Sequence, residues 1–185
     1  MNTRLQVEHP VTEMVTGLDL VQLQIRIAAG EALPIGQNDS PMFGHAIEAR
    51  LYAEAPHRGF LPQPGQLVAW HPPCGLGVRV DHGLNRNQAI TPYYDSMLAK
   101  IIASGASREE ARRRLVQALE DTIALGVTTN RAFLIDALSH PEFAAGCATT
   151  QFIAKHFAKI APPATDPALL GLAAVLWFEA SAQRY

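Results

Sequence analysis

Two cysteines in 185 residues, Cys74 and Cys147, are too few for a disulfide framework, and they stand in no C-x-x-C spacing. Neither a disulfide-stapled fold nor a thiol-rich metal centre is expected, and a reducing compartment fits best. The seven histidines show no H-x-x-x-H or other paired spacing, so no zinc site is expected either. An excess of one charge is also missing. With 15 basic and 17 acidic residues the net charge is -2, which gives no reason to propose nucleic acid or a charged membrane as partner. Arg112-Arg113-Arg114 is the densest basic run, but it lies in a helical pattern and reads as a solvated face. There is no glycine-rich loop placed to cover phosphates and no lysine in a phosphate-binding context; Gly75-Leu76-Gly77 reads as a short turn. Polar residues follow Met1 where a signal peptide would be apolar. No apolar stretch is long enough to cross a membrane.

What is present begins with a composition that is 48% hydrophobic, enough to bury a real core. The first residues, Met1-Asn2-Thr3-Arg4-Leu5-Gln6-Val7-Glu8-His9-Pro10-Val11-Thr12, place an amide, a guanidinium, a second amide and a carboxylate on alternate positions. In an extended strand Asn2, Arg4, Gln6 and Glu8 would share one face. The fork of donors on Arg4 fits a pair of carboxylate or bicarbonate oxygens, Gln6 can donate and accept beside it, and Glu8 can take a proton from whatever Arg4 holds. Asn2 can lend an oxygen to a hard cation such as Mg2+, although one amide does not make a metal site. An edge strand with one solvated face produces the same alternation, so the pattern alone leaves both readings open.

Further along, Thr16-Gly17-Leu18-Asp19 resembles a capping box opening a helix through Ile27, which Gly30 stops. Residues 31–43 read as a loop. From Gly44 to about Ala53 the alternation predicts a strand with Arg50 and Glu48 on one face and Leu51 on the other, so Arg50 has Glu48 or another acid as its ordinary partner. Residues 55–65 form a bend. The segments 66–71 and 78–82 flank a Pro72-Pro73-Cys74-Gly75 turn and read as an antiparallel pair. Met97 to Ala103 reads as another strand, with Tyr93 and Tyr94 packing in the turn before it. Ser107-Arg108-Glu109-Glu110 is a second capping box, opening a helix that runs to Gly126. Asn130 is expected to cap a helix ending before Pro141, and a third helix is expected near Thr149 or Thr150. The mixture predicts an α+β fold, an antiparallel sheet with helices packed on one side. Residues 161–165 read as a linker, and Asp166-Pro167 starts a last helix that would pack against another domain.

The run MNTRLQVEHPVTEMVTGLDLV resembles the last catalytic segment of the ATP-grasp domain in biotin carboxylases. The likeness continues in order through Gly44 to Arg50, Phe60-Leu61-Pro62, Gly75 to Arg79, Pro92 to Lys100 and Gly126 to Asn130, covering about residues 1–158. It implies a division into 1–30, the end of the ATP-grasp segment; 31–160, a domain like the biotin carboxylase C-terminal domain; and 161–185, a linker and following helix. It also implies roles: Arg4 orients bicarbonate, Gln6 and Val7 complete that pocket, Glu8 is the base, Asn2 helps hold Mg2+, and Arg50 stabilises the biotin enolate. ATP, Mg2+ and biotin are the implied cofactors. The implied partners are an upstream ATP-grasp region, a biotinyl carrier domain, a carboxyltransferase subunit and a second copy of the chain, with Arg79 near the dimer contact.

The expected location is cytoplasmic, or the mitochondrial matrix in a eukaryote. The tail favours the α subunit of an acyl-CoA carboxylase, with methylcrotonyl-CoA carboxylase first. The metal-binding glutamate of the family falls before residue 1, so the chain alone is expected to be inactive. A noncatalytic dimerisation or assembly module built on the same fold is the alternative.

Overall fold

One segment in which apolar and polar residues alternate and a second that is mostly apolar become the long strands around which the rest is arranged. The computed structural model describes residues 3–36, 42–164 and 166–182. Helices α1 (His9–Thr16) and α2 (Leu20–Ala28) come first, followed by β1 (His45–Tyr52) and the short strands β2 (Glu54–Ala55) and β3 (Leu61–Pro62), which enclose a 3-10 turn. Strands β4 (Gly65–Leu67), β5 (Ala69–His71), β6 (Val78–His82), β7 (Gln88–Ile90) and β8 (Met97–Gly105) lead to α3 (Arg108–Asp121) and β9 (Ile123–Leu125). The chain continues through α4 (Arg131–Ser139), α5 (Pro141–Ala144), α6 (Phe152–His156) and α7 (Pro167–Ala182).

The main sheet has the order β1-β8-β6, antiparallel throughout. Ile47 and Ala49 of β1 and Ile101 and Ala103 of β8 point to one face, where Ala111, Leu115, Ala118 and Leu119 of α3 and Leu138 of α4 cover them. Burying a side chain such as Leu115 contributes about 2 kcal/mol, and the helical spacing of these residues on α3 is what lets one helix close the layer. Leu51, Ala53, Leu67, Ile90, Leu98 and Ala99 form a second apolar cluster. The α+β fold class stands as the sequence implied, with one change of layering. Helices lie on both faces, because α1 crosses the face opposite α3 and meets β1 and β8 there.

That second face is largely charged. Arg50 stands beside Lys100, and Lys100 beside Asp81, across three strands. Glu48 shares the face, with a side chain only 4% exposed and Arg50 Nε at 3.9 Å. Neither of its carboxylate oxygens has a hydrogen-bond partner among the described residues. Burial raises the Glu48 pKa above its ordinary value, and the attraction of Lys100 and Arg50 only partly offsets this.

Several local expectations change. The segments 66–71 and 78–82 do not pair with each other: β4 pairs with β7, β5 with β9, and β6 with β8. The bend at 55–65 contains the small β2–β3 pair. Asp19, not Thr16, caps α2 by accepting the Gln22 N–H at 2.8 Å. Ser107 accepts the Glu110 N–H at 3.2 Å, and the Glu110 carboxylate reaches back to the Ala106 N–H at 2.7 Å. Helix α3 ends at Asp121, five residues before Gly126, because Ile123–Leu125 is drawn into a strand beside β5. In the arginine run only Arg113 is solvated, at 70% side-chain exposure. Arg112 donates to the Leu138 carbonyl and Arg114 to the Ser104 carbonyl, tying α3 to α4 and β8. Tyr93 and Tyr94 do not pack in their turn; they are 83% and 96% exposed. Helix α7 forms where Asp166-Pro167 predicts it, with Leu169, Leu172 and Trp177 exposed.

Two outcomes follow for stability. Gly126 has φ +100°, and a Cβ there would fall 2.0 Å from the Gln66 carbonyl oxygen. Gly126→Ala is expected to cost about 3 kcal/mol, seen as a lower urea midpoint at unchanged slope; an unmoved midpoint would show that the two segments separate freely. For Glu48, a folded-state pKa above the ordinary 4.5 means that the ionised group costs stability at neutral pH. The cost is absent once the carboxyl is protonated in both states, below about pH 4. Glu48→Gln should therefore raise the melting temperature at pH 7 by about 2 °C and lose that advantage near pH 4; a lower melting temperature at pH 7 would mean that ion pairing outweighs burial.

Candidate functional site

Residues 3–8, which precede α1, do not form a strand. Pro10 has no N–H to give a ladder and its fixed φ suits a first helical turn, so the chain turns at Glu8 and enters α1, with Glu8 at the N-cap position. The Gln6 carbonyl accepts from both the His9 N–H at 3.2 Å and the His9 Nδ1 at 2.8 Å, which tightens that turn. The alternating row of Arg4, Gln6 and Glu8 is thus lost, yet the turn brings the three together by another route. They line one cavity of about 370 Å3, closed on the far side by Leu20, Leu23 and Ile27 of α2. Val7 is turned away from it, and its carbonyl accepts from Lys100 Nζ at 3.1 Å. Asn2, assigned to Mg2+ by resemblance, lies outside the described residues.

Arg50 joins this group from 42 residues away, donating from Nη2 to Glu8 Oε2 at 2.8 Å. Its place on β1 aims it at the face that α1 covers, as the alternation implied. Glu8 is held below the usual carboxylate range, first by a hydrogen bond from its own backbone N–H and then by Arg50 and Arg4. Both side chains are well exposed, 41% for Arg50 and 54% for Glu8. Water and salt screen an exposed pair of this kind, so a ligand can part it at small cost and meet both groups.

A second set of ion pairs places the turn. Arg79 grips Asp81 with two bonds, at 2.8 and 2.9 Å, and donates to Glu13 of α1 at 2.6 Å. The other oxygen of Glu13 accepts the Leu20 N–H at 2.8 Å, fastening the start of α2 to the same point. Lys100 lies 3.3 Å from Asp81 while it holds the Val7 carbonyl. Burial would raise the Asp81 pKa, but Arg79 and Lys100 outweigh it and hold the carboxyl low. The chain of contacts from the start of α2 through Glu13, Arg79, Asp81 and Lys100 to Val7 fixes where Glu8 stands.

Lys100, Glu13 and Asp81 escaped the sequence reading as parts of the site, since partners 66 and 93 residues apart leave no periodic trace. Their one available signal was position, Lys100 and Asp81 being charged residues inside apolar strands. Asn130, expected as a helix cap, sits at the N-cap position of α4 without capping it. Its side chain instead bonds β1 at Arg50 and Tyr52. A further cavity of about 550 Å3 is lined by Glu48, Arg50 and Asn130 together with Phe133, Leu134 and Phe152. Among the described residues, no group of three His, Cys, Asp or Glu could hold a metal ion.

Comparison with known proteins gives this geometry a lineage. Residues 48–155 match the biotin carboxylase C-terminal domain, and residues 1–36 match the ATP-binding domain of the carbamoyl-phosphate synthase L chain. The chain is 49% identical over 156 residues to a biotin carboxylase of Halalkalibacterium halodurans, an overlap of 84% of this chain and 34% of that protein. It is 46% identical over 169 residues to the mitochondrial methylcrotonoyl-CoA carboxylase subunit alpha of Arabidopsis thaliana, covering 91% of this chain and 23% of that one. Among solved structures it resembles the biotin carboxylase domain of a thermophilic 2-oxoglutarate carboxylase bound to bicarbonate, with TM-score 0.82 at 45% identity, over 84% of this chain and 35% of that one. The chain spans about a third of the biotin carboxylases it matches. With its fold and the greater part of its sequence both accounted for in this way, the chain belongs to the biotin carboxylase C-terminal domain family.

Proposed function

We propose that this chain supplies the bicarbonate-orienting and biotin-facing groups of an enzyme that carboxylates biotin with ATP and bicarbonate, working beside a nucleotide-binding region outside these 185 residues. The observation that carries the reading is the 2.8 Å ion pair that joins Glu8, which lines a cavity with Arg4 and Gln6, to Arg50, which lines a second cavity. In this reading the Arg4 guanidinium and the Gln6 amide hold bicarbonate, and Glu8, once parted from Arg50, takes its proton. Arg50, released by the same event, faces the oxygen on which negative charge develops during carboxyl transfer, where a fixed cation stabilises better than water that must reorganise. ATP supplies the phosphoryl group that activates bicarbonate, and biotin supplies the nitrogen that receives the carboxyl group.

The Mg2+ assignment rests on Asn2 and on family resemblance, and the described residues offer no cluster to hold the ion. The 2-oxoglutarate carboxylase domain whose structure is a dimer with MgADP and bicarbonate supports nucleotide and metal in a relative, and supports the homodimer proposed for this chain. An acyl-CoA carboxylase α subunit, methylcrotonyl-CoA carboxylase first, is the finer reading. Its support is that the match to such a subunit extends over 91% of the chain, against 84% for the biotin carboxylase of Halalkalibacterium halodurans. A biotinyl carrier and a carboxyltransferase are then its partners, in the cytoplasm or the mitochondrial matrix.

Alone, the 185 residues should not cleave ATP in the presence of bicarbonate and biotin; joined to the nucleotide-binding region they should. Silence in both forms would favour the noncatalytic assembly module. In the complete enzyme Glu8→Gln is expected to slow bicarbonate-dependent ATP cleavage by about 10²–10⁴-fold with its melting temperature unmoved. Cleavage at the original rate would show that another group is the base.

A further inference from the structure

We propose that Asn130 is a positioning residue for Arg50, acting as one rung of a missing strand on the free edge of β1. The proposal rests on Arg50 facing the reacting groups, as argued above. Strand β1 is at the edge of the β1-β8-β6 sheet, so among the described residues its outward N–H and C=O groups have no strand to pair with. At three of them Asn130 stands in. Its backbone N–H donates to the Tyr52 carbonyl at 3.1 Å, its Oδ1 accepts the Tyr52 N–H at 2.9 Å, and its Nδ2 donates to the Arg50 carbonyl at 3.2 Å. One residue thereby satisfies the outward backbone groups that follow Arg50, from its own carbonyl through both groups of Tyr52.

The location is where the strand most needs it. The register between β1 and β8 shifts at Leu51/Tyr52, so the inner ladder is irregular next to Arg50, and a bulge of that kind re-aims the neighbouring side chain. Asn130 is 5% exposed, so each group it leaves unpaired would be cut off from water. The residue also gives up the ordinary work of its position: at the N-cap of α4 its side chain makes no capping bond, although asparagine is among the best caps. The side chain's Arg50 and Tyr52 bonds and the Glu8 contact of the guanidinium divide the task. Glu8 and Glu48 hold the charged end, and Asn130 holds the backbone from which it projects.

Three variants of the complete enzyme, Asn130→Ala, Asn130→Asp and Arg50→Ala, with the Asn130→Ala/Arg50→Ala double variant, test this. A catalytic group displaced by about 1 Å loses roughly 10²-fold. Asn130→Ala should thus lower the kcat of biotin carboxylation by 10- to 100-fold, with the KM for bicarbonate unchanged and ATP cleavage without biotin retained. The double variant should be no slower than Arg50→Ala alone. Asn130→Asp keeps the acceptor for the Tyr52 N–H but loses the donor to Arg50, so it should keep the Tyr52 amide protected from hydrogen exchange and still lower kcat. In Asn130→Ala that amide should exchange at least tenfold faster while Ile101 stays protected. Full kcat in both Asn130 variants, or losses that multiply in the double variant, would overturn the proposal. So would an equal fall in every activity along with the melting temperature. If Asn130→Ala does not fold, Asn130→Asp carries the same decision. An Arg50→Ala enzyme with undiminished carboxylation would refute the biotin-facing reading instead, and unchanged Tyr52 exchange in Asn130→Ala would refute the Asn130 rung independently of it.

Discussion

The grip of Arg79 on Asp81 and Glu13 is the contact on which the rest of the arrangement depends. Asp81 and Arg79 belong to a strand of the sheet and Glu13 to the helix laid across it, so one guanidinium sets the height and angle at which α1 crosses. Glu13 passes the constraint to the first turn of α2, and Lys100 passes it to the carbonyl of Val7. Only after these contacts are made does Glu8 lie within reach of Arg50. The two faces of the sheet are therefore held by different physics. Toward α3 the contact is mainly aliphatic and nondirectional, with Arg114 adding one bond to the Ser104 carbonyl. Toward α1 it is a set of short directional bonds, which specify one position and forbid its neighbours.

That difference explains what the sequence disclosed. The strand at 45–52, the helix at 108–121 and the start of the last helix were legible because each is governed by periodicity or capping within a few residues. Arg50 was placed on the correct face for the same reason. Residues 3–8 misled, because an alternating polar row satisfies the strand template and the turn is decided by one residue, Pro10, outside that row. Pairing among the short strands was also illegible. The segments β5 and β9 are 52 residues apart at their closest rung, His71 against Ile123, and no local pattern announces such a partner. The long-range ion pairs lie beyond sequence reading for the same reason, and Asn130 was visible as a polar residue at a helix start but not as a group turned backward to a strand.

The site, as built, joins two parts of the chain that match different families. Arg4, Gln6 and Glu8 come from the segment that resembles an ATP-binding domain, and Arg50 from the C-terminal domain. Their juncture is a single exposed ion pair laid over a sheet that is otherwise closely packed. A contact this weak is poorly suited to holding the two parts together, and the stronger contacts beneath it already do so. What it does supply is a ready exchange of partners: Glu8 and Arg50 can part at little cost, while the backbone N–H of Glu8 is the first cause of its low affinity for protons, with Arg50 and Arg4 adding to it.

The charge network also runs from dry to wet along its length. At one end Glu13 and Lys100 have side chains 10% and 12% exposed, while at the other Glu8 is 54% exposed. Dissolved ions screen the outer contacts strongly and the inner ones little. The same crossing is thus two devices in series, a rivet that ionic strength scarcely touches and a latch whose tension follows the salt around it. Changes in the surrounding electrolyte would loosen Glu8 from Arg50 while leaving α1 seated, so the chemistry of the rim can be tuned without unfastening the helix that carries it.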